Sequence, residues 1–178
     1  MFKKLIILFL VGGVLYSQDL KRNPMNTGQF SELSNTEKIE HVKKWFRDGI
    51  NVPYLFAQEF AEAGGIEIIP WLFEELPKHE YYDIYGKIYN VQLDFITDVL
   101  IYFREKDLLT MYERYYIAGI LEAKIMNYVK KYKKFDLSVL GTNANIWMFL
   151  NIGNTNQLTS VEKERIVRAK YKVMGLLD

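Results

Sequence analysis

From residue 34 onward, apolar side chains recur at spacings of three and four, the period an α-helix imposes on a chain with one buried face. Ser34-Asn35-Thr36-Glu37 has the form of a capping box, Ser34 accepting from a first-turn amide and Glu37 reaching back. Ile39, Val42, Trp45 and Phe46 follow at helical spacing, and Asp48-Gly49 ends that helix. Ile84 to Arg104 carries the clearest stripe, with Tyr85, Ile88, Gln92, Phe95, Ile96, Val99, Tyr102 and Phe103 on one side. Lys87, Asn90, Asp94, Asp98 and Glu105 fall opposite. A further helix from about Leu109 to Tyr132 turns Tyr112, Tyr116, Ile120, Ala123 and Met126 inward. Gly119 lies inside it at a cost of about 1 kcal/mol relative to Ala, which the close approach of a neighbouring helix would explain. Phe135 to Leu150 has no single reading, and Asn151 to Gln157 is rich in turn residues. Thr159-Ser160-Val161-Glu162 is a second capping box, leading into Ile166, Ala169, Val173 and Leu177 at helical spacing. No segment alternates as a run of strands does. The expected class is all-α, with about six to seven helices in a small bundle or a stack of antiparallel helix pairs.

The most patterned stretch is Val52-Pro53-Tyr54-Leu55-Phe56, which returns seventeen residues later as Ile69-Pro70-Trp71-Leu72-Phe73. Proline suits the first helical turn, where its missing N–H has no partner to lose. Each copy therefore reads as a helix start; the first runs to Ala63 and stops at Gly64-Gly65, the second at Pro77. Two short helices across a tight Gly-Gly connection make an antiparallel hairpin. The string GGIEIIPWLFEEL, Gly64 to Leu76, resembles the turn and proline-started helix of HEAT-type helical repeats. The resemblance implies paired helices, and an exposed aromatic groove bordered by the Val52-to-Leu76 hairpin is the expected binding surface. No full repeat of about 40 residues recurs.

The N-terminus constrains location. Met1-Phe2-Lys3-Lys4 supplies a positive start, Leu5 to Leu15 is apolar on every face, and Tyr16-Ser17-Gln18 is a polar exit. This resembles a bacterial secretory signal peptide, with Leu15 and Ser17 suiting cleavage after Ser17. An apolar run of eleven residues is short of the roughly 20 that a spanning helix needs. Residues 1–17 are thus expected to leave, residues 18–33 to form a flexible lead, and residues 34–178 to form one helical domain. The chain has no cysteine, which excludes disulfides, thiolate metal sites and a cysteine nucleophile. Loss of Lys3 and Lys4 turns a net charge of +1 slightly negative, so nothing general favours nucleic acid or anionic lipid. The expected location is the periplasm or cell envelope of a bacterium, with membrane attachment only where the signal is retained as an anchor.

Several constellations bear on chemistry. His79-Glu80-Tyr81-Tyr82-Asp83 has the spacing of a helical metal motif, but Asp83 stands where a second His belongs and Pro77 breaks the helix. It reads as a solvated linker, and neither metal nor cofactor is expected. Asp94 and Asp98 are one turn apart, as paired carboxylates for acid–base work would be, but they share their face with Lys87, Asn90 and Glu105 and read as exposed surface. Glu59 and Glu62, and Glu74 and Glu75, read as the polar sides of short helices. YVKKYKKF, Tyr128 to Phe135, interleaves lysines with aromatics; in an exported protein it offers contact with anionic matter, or simply complements the dipole of a helix C-terminus. The 13 tyrosines suit half-buried positions at a contact surface. The expected function is a non-enzymatic protein-binding module whose partner is another protein, with Tyr54, Trp71, Tyr81 and Tyr82 as its aromatic surface. The alternative is a carboxylate-dependent hydrolase using Glu59, Glu62, Asp94 or Asp98.

Overall fold

A computed structural model describes residues 25–84, 87–133, 146, 149 and 158–177. Residues 1–17, expected to form a signal peptide, and all of Phe135–Leu150 except Ile146 and Phe149, fall outside the described residues. The class is all-α. Helix α1 spans Thr27–Ser31, α2 Asn35–Arg47, α3 Ala57–Gly64, α4 Ile69–Glu75, α5 Val91–Glu105, α6 Met111–Tyr132 and α7 Ser160–Val173, with 3-10 turns at Tyr54–Phe56, Gly65–Ile68 and Leu76–Lys78.

Helix α1 lies inside the stretch read as a flexible lead. Asn26 and Gln29 cap it reciprocally, each side chain meeting the other's backbone N–H at 3.0 Å. Its one apolar anchor, Phe30, is fully buried, stacked on Phe56 at 4.4 Å and tilted against Trp45. A single aromatic in a polar stretch has no period to read, which is why the sequence alone leaves these residues unassigned. The capping box at Ser34 forms as expected, and α2 buries Val42, Trp45 and Phe46.

The Pro-led motifs also begin helical turns. Helix α3 packs along α2 and α5, Trp71 of α4 meets Phe60 of α3 edge-on, and a turn at Gly64-Gly65 joins the two helices. The two glycines set that turn. A Cβ on Gly64 would come 2.3 Å from Ile68 Cγ2, and Gly65 adopts φ +52°, which side chains disfavour. Ile68 and Ile69 are then buried at the bend, and Leu72 and Leu76 follow them into the core.

Residues 82–89 depart from the long helix expected from Ile84. Tyr82–Ile84 (β1) pairs antiparallel with Lys87–Tyr89 (β2) in the register Tyr82↔Tyr89, Asp83↔Ile88, Ile84↔Lys87. The sequence from Tyr82 to Tyr89 is rich in aromatic and β-branched residues and has a glycine at position 86, a composition that suits a hairpin. Helix α5 starts only after Asn90, a buried N-cap whose Oδ1 accepts from the Leu93 N–H at 2.9 Å and whose Nδ2 donates to the Glu80 carbonyl at 2.7 Å.

Helix α6 is capped by Thr110 and Glu113. Ile120 and Ala123 are buried as expected, whereas Met126 is exposed. The buried stripe runs through Ile117, Leu121, Lys124 and Tyr128 at spacings of four, three and four. Met126 lies two positions from Tyr128, about 200° round the helix. Helix α7, capped by Thr159 and Glu162, lies along α6. Asn127 Nδ2 donates to the Val173 carbonyl at 2.8 Å, and Lys170 meets Glu122 at 2.7 Å. Leu177 lies past the end of α7 and is exposed.

Candidate functional site

The connection from α4 to β1 is held on a buried cation. Lys124, at mid-helix in α6, has no exposed side-chain surface. Its Nζ donates to the Pro77 carbonyl at 2.9 Å and meets Glu80 Oε1 at 3.3 Å. Pro77 belongs to a 3-10 turn, so the ammonium closes a helical C-terminus that has no further turn to satisfy it. Burial lowers the Lys124 pKa, and the Glu80 carboxylate opposes that shift. One residue earlier, His79 Nε2 is 3.3 Å from Glu75 Oε2, and its ring stands edge-on to Phe46. Burial lowers the His79 pKa more than Glu75 raises it, and Lys124 and Lys78 push in the same direction as burial. Farther along, the Tyr128 hydroxyl donates to Asp83 at 3.0 Å. The His79–Asp83 string therefore divides among three helices' partners and does not converge as a ligand set. Among the described residues no group of three metal-ligating side chains comes together.

Two hollows flank the Lys124–Glu80 pair. The larger, about 570 Å³, is lined by Glu80, Tyr81, Asn127, Tyr128, Lys130, Lys131 and Lys133. Among the described residues Lys130 and Lys133 have no carboxylate partner, and Lys131 stands over the Tyr132 ring at 5.1 Å. Lys133 is the left-handed cap of α6, with φ 55°, so the chain turns there and presents its charge at the rim. The smaller hollow, about 350 Å³, lies where α6 and α7 meet the connection and is lined by Pro77, Glu80, Tyr116, Ile120, Ala169, Lys172 and Val173. Glu80 belongs to both.

The four aromatic positions expected to form one surface are spread among different surroundings. Tyr54 is 63% exposed beside exposed Leu55. Trp71 is half-buried, edge-on to Phe46 and Phe60, with Lys43 Nζ 5.6 Å above its ring. Tyr81 is 5% exposed and forms the floor of the larger hollow. Burial and then the charge of Asp94 push its phenol far up. Tyr82 is half-buried at the start of β1. Sequence reasoning missed Lys124, Asn127 and Lys172; only the lysine run after Tyr128 carries a visible signal.

The four carboxylates also part company. Glu59 accepts from Ser31 at 2.6 Å and pairs with Lys38 at 2.9 Å, contacts that pull its pKa down. Glu62 accepts from Gln58 at 2.9 Å. Asp94 and Asp98 stand one turn apart on α5. The Asp94 residue as a whole is exposed, and its carboxyl is nonetheless pushed up to about 6, first by the protein packed around it and then by the charge of Asp98. Burial raises Asp98 as well.

No protein-family model, curated protein or solved structure matches this chain. No helix among the described residues is long and apolar enough to cross a membrane.

Proposed function

We propose that this chain is an exported, non-enzymatic module of the bacterial periplasm or envelope that docks another protein through the lysine-rimmed hollow at the end of α6. The observation that carries the reading is the placement of Lys130, Lys131 and Lys133 around one cavity, with no carboxylate neutralising Lys130 or Lys133 among the described residues. Cations without a carboxylate partner among the described residues, beside Tyr81 and Tyr128, favour an anionic partner, and three of them presented at one helix end complement a run of acidic residues. The partner is an acidic protein segment.

Titration calorimetry with an acidic peptide and a neutral peptide of equal length tests this reading. The acidic peptide should bind, and Lys130→Glu, Lys131→Glu and Lys133→Glu together should abolish binding while leaving the melting transition in place. Equal affinity for both peptides would overturn the reading. So would binding to vesicles of anionic lipid without binding to the peptide. Export is tested by intact mass after fractionation, where loss of residues 1–17 is expected and a full-length chain in membranes would overturn it.

A second reading, a carboxylate-dependent hydrolase, draws support from Asp94, whose pKa of about 6 lets it hold or release a proton near neutral pH. It predicts hydrolysis of chromogenic ester or glycoside substrates that Asp94→Asn removes. Activity unchanged in that variant would end it.

A further inference from the structure

Resting on that reading, we infer that the partner carries an apolar side chain, best an aromatic one, that seats in the smaller hollow while its acidic residues lie along the lysine rim. The two hollows share Glu80 as a common wall, and Lys124 fixes that wall from beneath at 3.3 Å. Paired in this way, Glu80 divides the trough without opposing an acidic chain as a free carboxylate would.

The smaller hollow has a different character from its neighbour. Ile120, Ala169, Val173 and Pro77 give it apolar walls, and Tyr116 closes one side with its ring stacked on Phe73 at 5.2 Å. About 350 Å³ is room for one large side chain. Lys172 stands on its lining with no carboxylate partner among the described residues, so the positive rim continues past the wall. Anchors of this kind, an aromatic group in a pocket ringed by polar contacts, concentrate binding energy.

Spacing along α6 sets the length of the motif. From Ile120 to Lys131 the helix rises about 16 Å, which an extended peptide covers in about five residues. The occupant is therefore an extended segment with an apolar residue about five positions from an acidic cluster.

The test compares two labelled acidic peptides by fluorescence anisotropy, one with Phe and one with Ser at the fifth position from the acidic run. The Phe peptide should bind about tenfold more tightly. Ala169→Phe, which fills the hollow, should erase that advantage and leave the Ser peptide unchanged. Because this variant could perturb the α6–α7 seam, a photoreactive phenylalanine at the anchor position gives an independent readout on the unaltered protein. Cross-links to residues of α6 or α7 around Ile120 and Val173 support the inference, and cross-links elsewhere overturn it. Equal binding of the two peptides would overturn the anchor and leave the lysine-rim reading intact, whereas no binding of either peptide would overturn both.

Discussion

Ile166 of α7 presses against Gly119 of α6, where a Cβ would stand 3.3 Å from Ile166 Cγ2. The helix-destabilising residue sits at a tight contact between α6 and α7. Gly119→Ala gains about 1 kcal/mol of helix propensity and loses part of it to the tight contact, so its net effect should be within about 1 kcal/mol of zero. Gly119→Val has no such margin and should destabilise by about 2 kcal/mol. Urea unfolding of both variants checks the ordering, and Ile166→Ala should rescue the valine.

His79 and Asp94 make opposed contributions to the pH dependence of stability. His79 is held below its ordinary value of 6.5, so the folded state binds fewer protons than the unfolded chain and stability falls as pH drops below about 6.5. Asp94 rises from 3.8 to about 6, so the folded state binds more protons and stability falls as pH rises through that window. The two slopes oppose each other where their windows overlap, below about pH 6. His79→Gln should steepen the loss of stability with rising pH, and Asp94→Asn should steepen its loss with falling pH. At pH 7, Asp94→Asn should stabilise by about 0.5 kcal/mol, a small effect because solvent screens so exposed a charge. Thermal melts across pH 4–8 separate the two.

Lys124→Met removes the donor that reaches Pro77 and should cost about 1–3 kcal/mol, because the Pro77 carbonyl loses a charged partner while half-exposed Glu80 can turn to water. The loss should appear as faster amide exchange over residues 76–81 before global unfolding.

Phe30→Ala tests where the folded body begins. With its ring fully buried, the substitution should cost about 3–5 kcal/mol, the value for a core aromatic. A loss below about 0.5 kcal/mol would return residues 25–33 to the status of a flexible lead.

The helix starts are legible in the sequence because capping is local: Ser34 with Glu37 and Thr159 with Glu162 need only four consecutive residues. The β-hairpin is not, because Tyr85 and Ile88 stand at helical spacing from Gln92 and extend the stripe of α5 backwards past Asn90. Lys124 is hidden for a related reason. A charged residue in a stripe reads as the stripe's edge, and its burial is made tolerable by the Pro77 carbonyl, 47 positions away, and the Glu80 carboxylate. The lysine rim can be read from YVKKYKKF, but the smaller hollow requires knowing that α7 lies beside α6. No local pattern carries that pairing.

The lysines of α6 differ in what dissolved ions can reach. Lys130, Lys131 and Lys133 are exposed, while Lys124 has no exposed side-chain surface. Screening shortens the reach of exposed charges from about 8 Å at physiological ionic strength to about 3 Å at 1 M salt, and acts far less on buried pairs. Rising ionic strength therefore weakens the outer lysines' pull on an acidic chain while Lys124 goes on holding Pro77 and Glu80. Within one helix, the charges that grip and the charge that braces answer to different conditions, so a partner could be shed into brine by a protein that keeps its shape.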